Sequence, residues 1–148
     1  MKYAHTIEIR VFVNPQDNED FIRNTFIKLL SLDPKKENVK INRSSALGFN
    51  EKKIVILEAQ LVKDRHISTF LDHLNYNLKR EQKNLLLRQT NRLDDNLNFF
   101  IRFDKDKLLN NEYFIIDHGN CFHIRINIAA FPRSREAAIK VIGNIFKD

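Results

Sequence analysis

The chain has 148 residues, of which 43% are hydrophobic and 30% charged, with 25 Lys and Arg against 19 Asp and Glu. This length fits a single domain, residues 1–148, that buries about 70% of its unfolded surface, and the composition excludes a disordered chain. The lone Cys121 excludes an internal disulfide, no run of ~18 apolar residues exists to span a bilayer, and the +6 charge favours an anionic partner.

Charges run through the first ten residues with no apolar stretch behind them, which predicts no signal peptide and a cytoplasmic protein. From His5 to Val13 the pattern alternates, with Ile7, Ile9, Val11 and Val13 on one side and Thr6, Glu8, Arg10 and Phe12 on the other. That period of two predicts a half-buried strand. Asn14-Pro15 stops it, Asp17 or Asn18 caps a helix from about Asn18 to Leu32, and Asp33-Pro34 ends that helix. Val39, Ile41 and Arg43 predict a second strand ending near Gly48. A third spans Lys53 to Leu61, with Val55, Leu57, Ala59 and Leu61 on one face, and the two form an antiparallel hairpin.

Asp64 is expected to cap a helix carrying the stripe Ile67, Phe70, Leu71, Leu74 and Leu78. The helical pattern continues, with or without a break, through Leu85, Leu86 and Arg88. His66 and His73 are expected at the surface beside the stripe. A turn at Asp94-Asp95-Asn96 leads to a strand in which Leu97, Phe99, Ile101 and Phe103 alternate with Asn98, Phe100 and Arg102. A short helix over Lys105–Asn110, a brief strand over Tyr113–Ile116 and a turn over 117–120 follow. The last strand, Phe122 to Ala130, alternates Ile124, Ile126 and Ile128 with His123, Arg125 and Asn127. Ser134 then caps a final helix reaching Phe146. The order β-α-β-β-α-β-(α)-β-β-α predicts an α+β fold, an antiparallel or mixed sheet with helices on one face.

If the apolar strand faces meet the helices, the opposite face carries Arg10, Phe12, Phe100, Arg102, His123 and Arg125. Exposed rings can stack bases while guanidinium groups hold phosphates, which suits single-stranded RNA. Burial of Phe12 and Phe100 under the chain termini, or in a homodimer, explains the same pattern. The loop from Arg43 through Gly48, Asn50, Lys52 and Lys53 combines backbone freedom, amide donors and charge, as a backbone-gripping loop would, or is a plain hairpin connection. Other basic clusters are Lys79, Arg80, Lys83, Arg88 and Arg92; Lys35, Lys36 and Lys40; and Arg133 with Arg135 before the last helix.

Signals for catalysis are absent: there is no phosphate loop, nucleophile elbow or dinucleotide fingerprint. His118, Cys121 and His123 lack zinc-site spacing, and Asp94, Asp95, Asp104 and Asp106 are explained by turns and caps. No enzyme activity, cofactor or metal is expected. Nor is an RNA-recognition motif present, although the first six elements share its βαββαβ order.

The strand His5-Thr6-x-Glu8-x-Arg10, the loop Leu47-Gly48-Phe49-Asn50, the stretch from Asn98 to Lys105 and the closing Ala130-Phe131-Pro132-Arg133 resemble an archaeal family of small RNA-binding proteins catalogued as predicted exosome subunits. The resemblance covers nearly the whole chain. It implies a fold like that of the large-subunit ribosomal protein that holds 5S RNA, and RNA as partner, within an RNA-processing or degradation complex. Gly48, Asn50, Arg102, Asp104 and Lys105 match the family pattern. Phe49 departs from it, standing where relatives tend to have a second Gly. The expected RNA contacts are therefore Arg10, Phe12, Arg43, Gly48, Asn50, Lys52, Lys53, Phe100, Arg102, Lys105, Arg125 and Arg133. The alternative is a protein-interaction or dimerisation module using the open sheet face, and no membrane partner is expected.

Overall fold

A computed structural model describes residues 2–147 of the chain. Five strands form one antiparallel sheet in the order β2-β3-β1-β5-β4. They are β1 (Ala4–Val13), β2 (Asn42–Leu47), β3 (Lys53–Leu61), β4 (Asn98–Asp104) and β5 (Cys121–Ile128). The helices are α1 (Glu19–Leu30), α2 (Asp64–Asn77), α3 (Arg80–Arg88), α4 (Lys105–Leu109) and α5 (Arg135–Ile145). The fold is α+β, with an open sheet. Among the described residues no helix is long and apolar enough to cross a membrane.

The period-two pattern decides which side of the sheet is buried. Ile7, Ile9 and Val11 of β1, Leu57 and Leu61 of β3, Phe99, Ile101 and Phe103 of β4, and Phe122, Ile124 and Ile126 of β5 are at most 1% exposed. Phe26 of α1 and Phe70 of α2, with Phe146 just past α5, complete this core. Each such side chain contributes about 1.5–3 kcal/mol on leaving water. Because β1 is the central strand, a charge at Ile9 would sit unpaired in the middle of the core.

Local chemistry sets the helix ends. Asn18 caps α1, its Oδ1 accepting from the Phe21 N–H at 3.1 Å, while Glu19 and Asp20 meet the positive end of the helix dipole. The helix stops at Leu30, two residues short of the expected Leu32, because Ser31 turns left-handed at φ 62°. Ser134 caps α5 by accepting from the Ala137 N–H. Asp64, by contrast, does not cap α2: Lys63 takes that place without a side-chain bond, and Asp64 is the first helical residue.

Two further expectations need correction, and the break in the second helical region is located. Val39 and Ile41 lie outside β2, because the Val39 N–H is bonded back to the Pro34 carbonyl and both side chains pack half-buried against the core. The break between α2 and α3 falls at Leu78 and Lys79, both extended; Leu78 is buried, and the Asn77 amide has turned back to the His73 carbonyl at 2.8 Å. Tyr113–Ile116 is no strand. It makes a single bridge, Ile115 to Phe103, and the Ile115 N–H is taken by the Gln82 side chain of α3 at 2.8 Å.

Candidate functional site

The other face of the sheet carries no core, and every residue on it is exposed or half-buried. Strand register orders that face into rows. In one row Glu58 of β3 stands opposite Arg10 of β1, Arg10 opposite His123 of β5, and His123 opposite Arg102 of β4. In the next row Gln60, Glu8, Arg125 and Phe100 follow in the same strand order. Phe12 lies beyond the first row, opposite Ile56 and 47% exposed. Arg10, Phe12, Phe100, Arg102 and Arg125 are thus gathered on one surface by residues far apart in the chain.

Carboxylates divide these guanidinium groups into two kinds. Glu58 accepts from Arg10 Nε at 3.2 Å, and Glu8 bridges Arg10 Nη2, also at 3.2 Å, and Arg125 Nη2. Arg102 has no carboxylate partner among the described residues. Glu8 and Glu58 were missed as members of the site, although the alternation that selects Arg10 selects them equally. Burial, then the charges of Arg102 and Arg10, hold the His123 imidazole below its ordinary value, so it is neutral at pH 7. Its ring stands 5.6 Å from that of Phe100, tilted by 40°. Burial pushes the Cys121 thiol up, the opposite of what a reactive thiolate needs.

At the Phe12 end the face sinks into a hollow of about 270 Å³, walled by Arg10, Phe12, Arg102, His123 and the turn Gly119-Asn120-Cys121. Lys105 forms part of its lining but presents no free charge. It is 3% exposed, and its Nζ donates to the Phe12 carbonyl at 2.6 Å and to Asp17 Oδ2 at 3.1 Å. Lys105 is therefore a strut fixing the end of β1, and its expected phosphate contact has no free ammonium to make it.

The hairpin residues stand elsewhere. Arg43 and Lys53 share the register face of Leu57 and Val55, so they point to the helix side of the sheet. Arg43 forms a two-point pair with Glu19 of α1 at 2.8 and 3.1 Å, which holds the Glu19 carboxyl below its usual range. Lys52 and Lys53 are exposed beside the same pair. Gly48 does not supply a left-handed turn: its φ is −88°, and the left-handed residues are Asn50 and Glu51. What it provides is close approach, since a Cβ there would stand 2.3 Å from Ile54 Cδ1. The side chain of Phe49 lies outside the described residues. Arg133 is exposed at the opposite end of the molecule, beside Asp94 and Asp95.

Other basic groups are structural. Arg92, 7% exposed, pairs with Asp117 at 2.9 Å, and Arg135 donates to the carbonyls of Leu93 and Thr90. His66 is buried and His73 half-buried against the Tyr113 hydroxyl, 2.7 Å away, so neither is the surface residue expected. Among the described residues no three His, Cys, Asp or Glu side chains gather as metal ligands.

A family model described as RNA binding matches residues 6–128. The chain belongs to that family. It is 26% identical, over 94% of its own length and 91% of the relative's, to an RNA-binding protein of Pyrococcus abyssi. A DUF54 protein of Methanothermobacter thermautotrophicus superposes with a TM-score of 0.80 at 25% identity, covering 98% of this chain and 99% of that one. A UPF0201 protein of Methanococcus jannaschii shares the fold more distantly, with a TM-score of 0.61 at 12% identity and coverage of 97% and 93%.

Proposed function

We propose that the chain binds single-stranded RNA on the open face of its sheet, as a non-catalytic accessory protein. The observation that carries this reading is the cross-strand row Arg10–His123–Arg102, with Phe12 exposed beside it and no buried residue on that face among the described residues. Its two arginines lie two strand spacings apart, roughly 10 Å, close enough to hold one stretch of backbone while a base stacks on Phe12 or Phe100. Membership of an RNA-binding family and the name of the Pyrococcus abyssi relative support the same partner. A place in an RNA-processing or degradation assembly rests on the sequence resemblance, and co-purification with ribonuclease subunits tests it.

Fluorescence anisotropy with short single- and double-stranded RNAs tests the binding reading. With three phosphates neutralised on a single strand, the log–log salt slope is about −2, so affinity falls roughly 20-fold between 50 and 200 mM salt. Arg102→Ala should bring that slope to about −1.4. Absence of binding at low salt refutes the reading. A concentration-dependent dimer broken by Phe12→Asp would instead identify the face as a self-association surface.

A further inference from the structure

The hollow beside Phe12 has features that an open stacking surface does not need. Arg10 and Arg102 flank His123 in one register row, so three nitrogen-rich side chains converge on its wall. Arg102 brings a charge with no carboxylate partner among the described residues. The turn at Gly119, where φ is +103°, forms part of its wall. Phe12 stands at the lip, its backbone fixed from below by Lys105. At about 270 Å³ the hollow falls just below the usual range of ligand pockets, roughly 300–1,000 Å³, a size for no more than one unit of a chain.

We propose that this hollow receives a terminal monophosphate of an RNA strand, held by Arg102, Arg10 and His123, with the adjoining base laid against Phe12. The proposal rests on the RNA reading above and names the part of the strand that the site takes. His123 is faced by Arg10 and Glu8 on β1, by Arg102 on β4, and by Arg125 and Cys121 on its own strand. Burial and the arginines keep its imidazole neutral at pH 7. A phosphate between it and Arg102 reverses that balance and favours the imidazolium, which gains a second donor.

The test compares one single-stranded oligonucleotide carrying a 5′-phosphate, a 3′-phosphate or hydroxyls at both ends. One phosphorylated form should bind about tenfold tighter than the hydroxyl form, the effect of one charge-assisted hydrogen-bonded contact, and which form it is identifies the end. Arg102→Ala and His123→Gln should each bring that ratio to within about twofold of unity. A second measurement uses the unaltered protein: adenosine monophosphate is titrated in while the His123 ring protons are followed by NMR. Saturable shifts, with the imidazole titration moving to higher pH, support the site. Equal binding of phosphorylated and hydroxyl oligonucleotides overturns the proposal and leaves the RNA reading standing. Saturation by the mononucleotide without binding of any oligonucleotide overturns the RNA reading and the strand-end assignment with it.

Discussion

Replacing Lys105 with Met separates a structural strut from an RNA ligand. The ammonium lies 2.6 Å from the Phe12 carbonyl and 3.1 Å from Asp17 Oδ2, inside a residue only 3% exposed. Hydrogen bonds involving a charged group contribute about 1.5–3 kcal/mol each, and removing one partner leaves the other without its donor. Asp17 is half-buried and keeps the Asn14 N–H at 2.9 Å, so it regains water readily, and the Met stem refills most of the lysine's volume. The net loss is therefore about 3 kcal/mol, in the lower part of the range for two such bonds. For a chain of this length that corresponds to a Tm lower by roughly 6–12 °C. Urea unfolding followed by circular dichroism measures it, with the slope unchanged and the midpoint lowered. Lys107→Met is the control: that ammonium is exposed over the Phe114 ring at 3.7 Å and should cost less than about 1 kcal/mol. A Lys105→Met protein as stable as the parent but weakened in RNA binding would refute the strut and return Lys105 to the contact set.

Glu8→Gln should strengthen RNA binding about threefold, because one negative charge roughly 7 Å from a phosphate in water-like surroundings costs about 0.6 kcal/mol. Anisotropy titrations at low salt measure it, and a weaker complex would mean that Glu8 orients Arg10 and Arg125 more than it competes with the RNA. Arg43→Ala should change RNA affinity by less than about twofold, since Arg43 pairs with Glu19 on the helix side; a larger loss would place RNA on both sides of the hairpin. His73 and His123 are held below the ordinary imidazole value chiefly by burial, so the unfolded chain takes up their protons more readily than the native one. Stability should be complete above about pH 6.5 and fall as the pH drops below it, and His73→Gln should flatten the fall in the urea midpoint; a midpoint that rises toward pH 5.5 would contradict this.

The alternation of β1, β3, β4 and β5 was legible because a strand with one buried face repeats every two residues, whatever its neighbours. For the same reason the open-face residues could be picked out before their order was known. Val39 and Ile41 were misplaced because apolar residues at spacing two fit a strand and a packed turn alike, and only the bond to Pro34 separates them. Lys105 could not be read locally at all. Its charge is buried by contacts with Phe12 and Asp17, 93 and 88 residues away in the chain.

By itself the sequence determined the types of the five sheet strands and of the helices, the two-sided character of the strands, the capping of α1 and α5, and the basic balance. These follow from short-range periodicity and side-chain chemistry. Tertiary structure alone decided which charges meet. Placing β1 between β3 and β5 sets Glu58 against Arg10 and Arg125 against Glu8, the β4–β5 pairing leaves Arg102 beside His123 without a carboxylate among the described residues, and the β2–β3 register turns Arg43 away from the face that holds Phe12. The physical reason is that strand pairing joins residues by register, a long-range relation that no local pattern encodes.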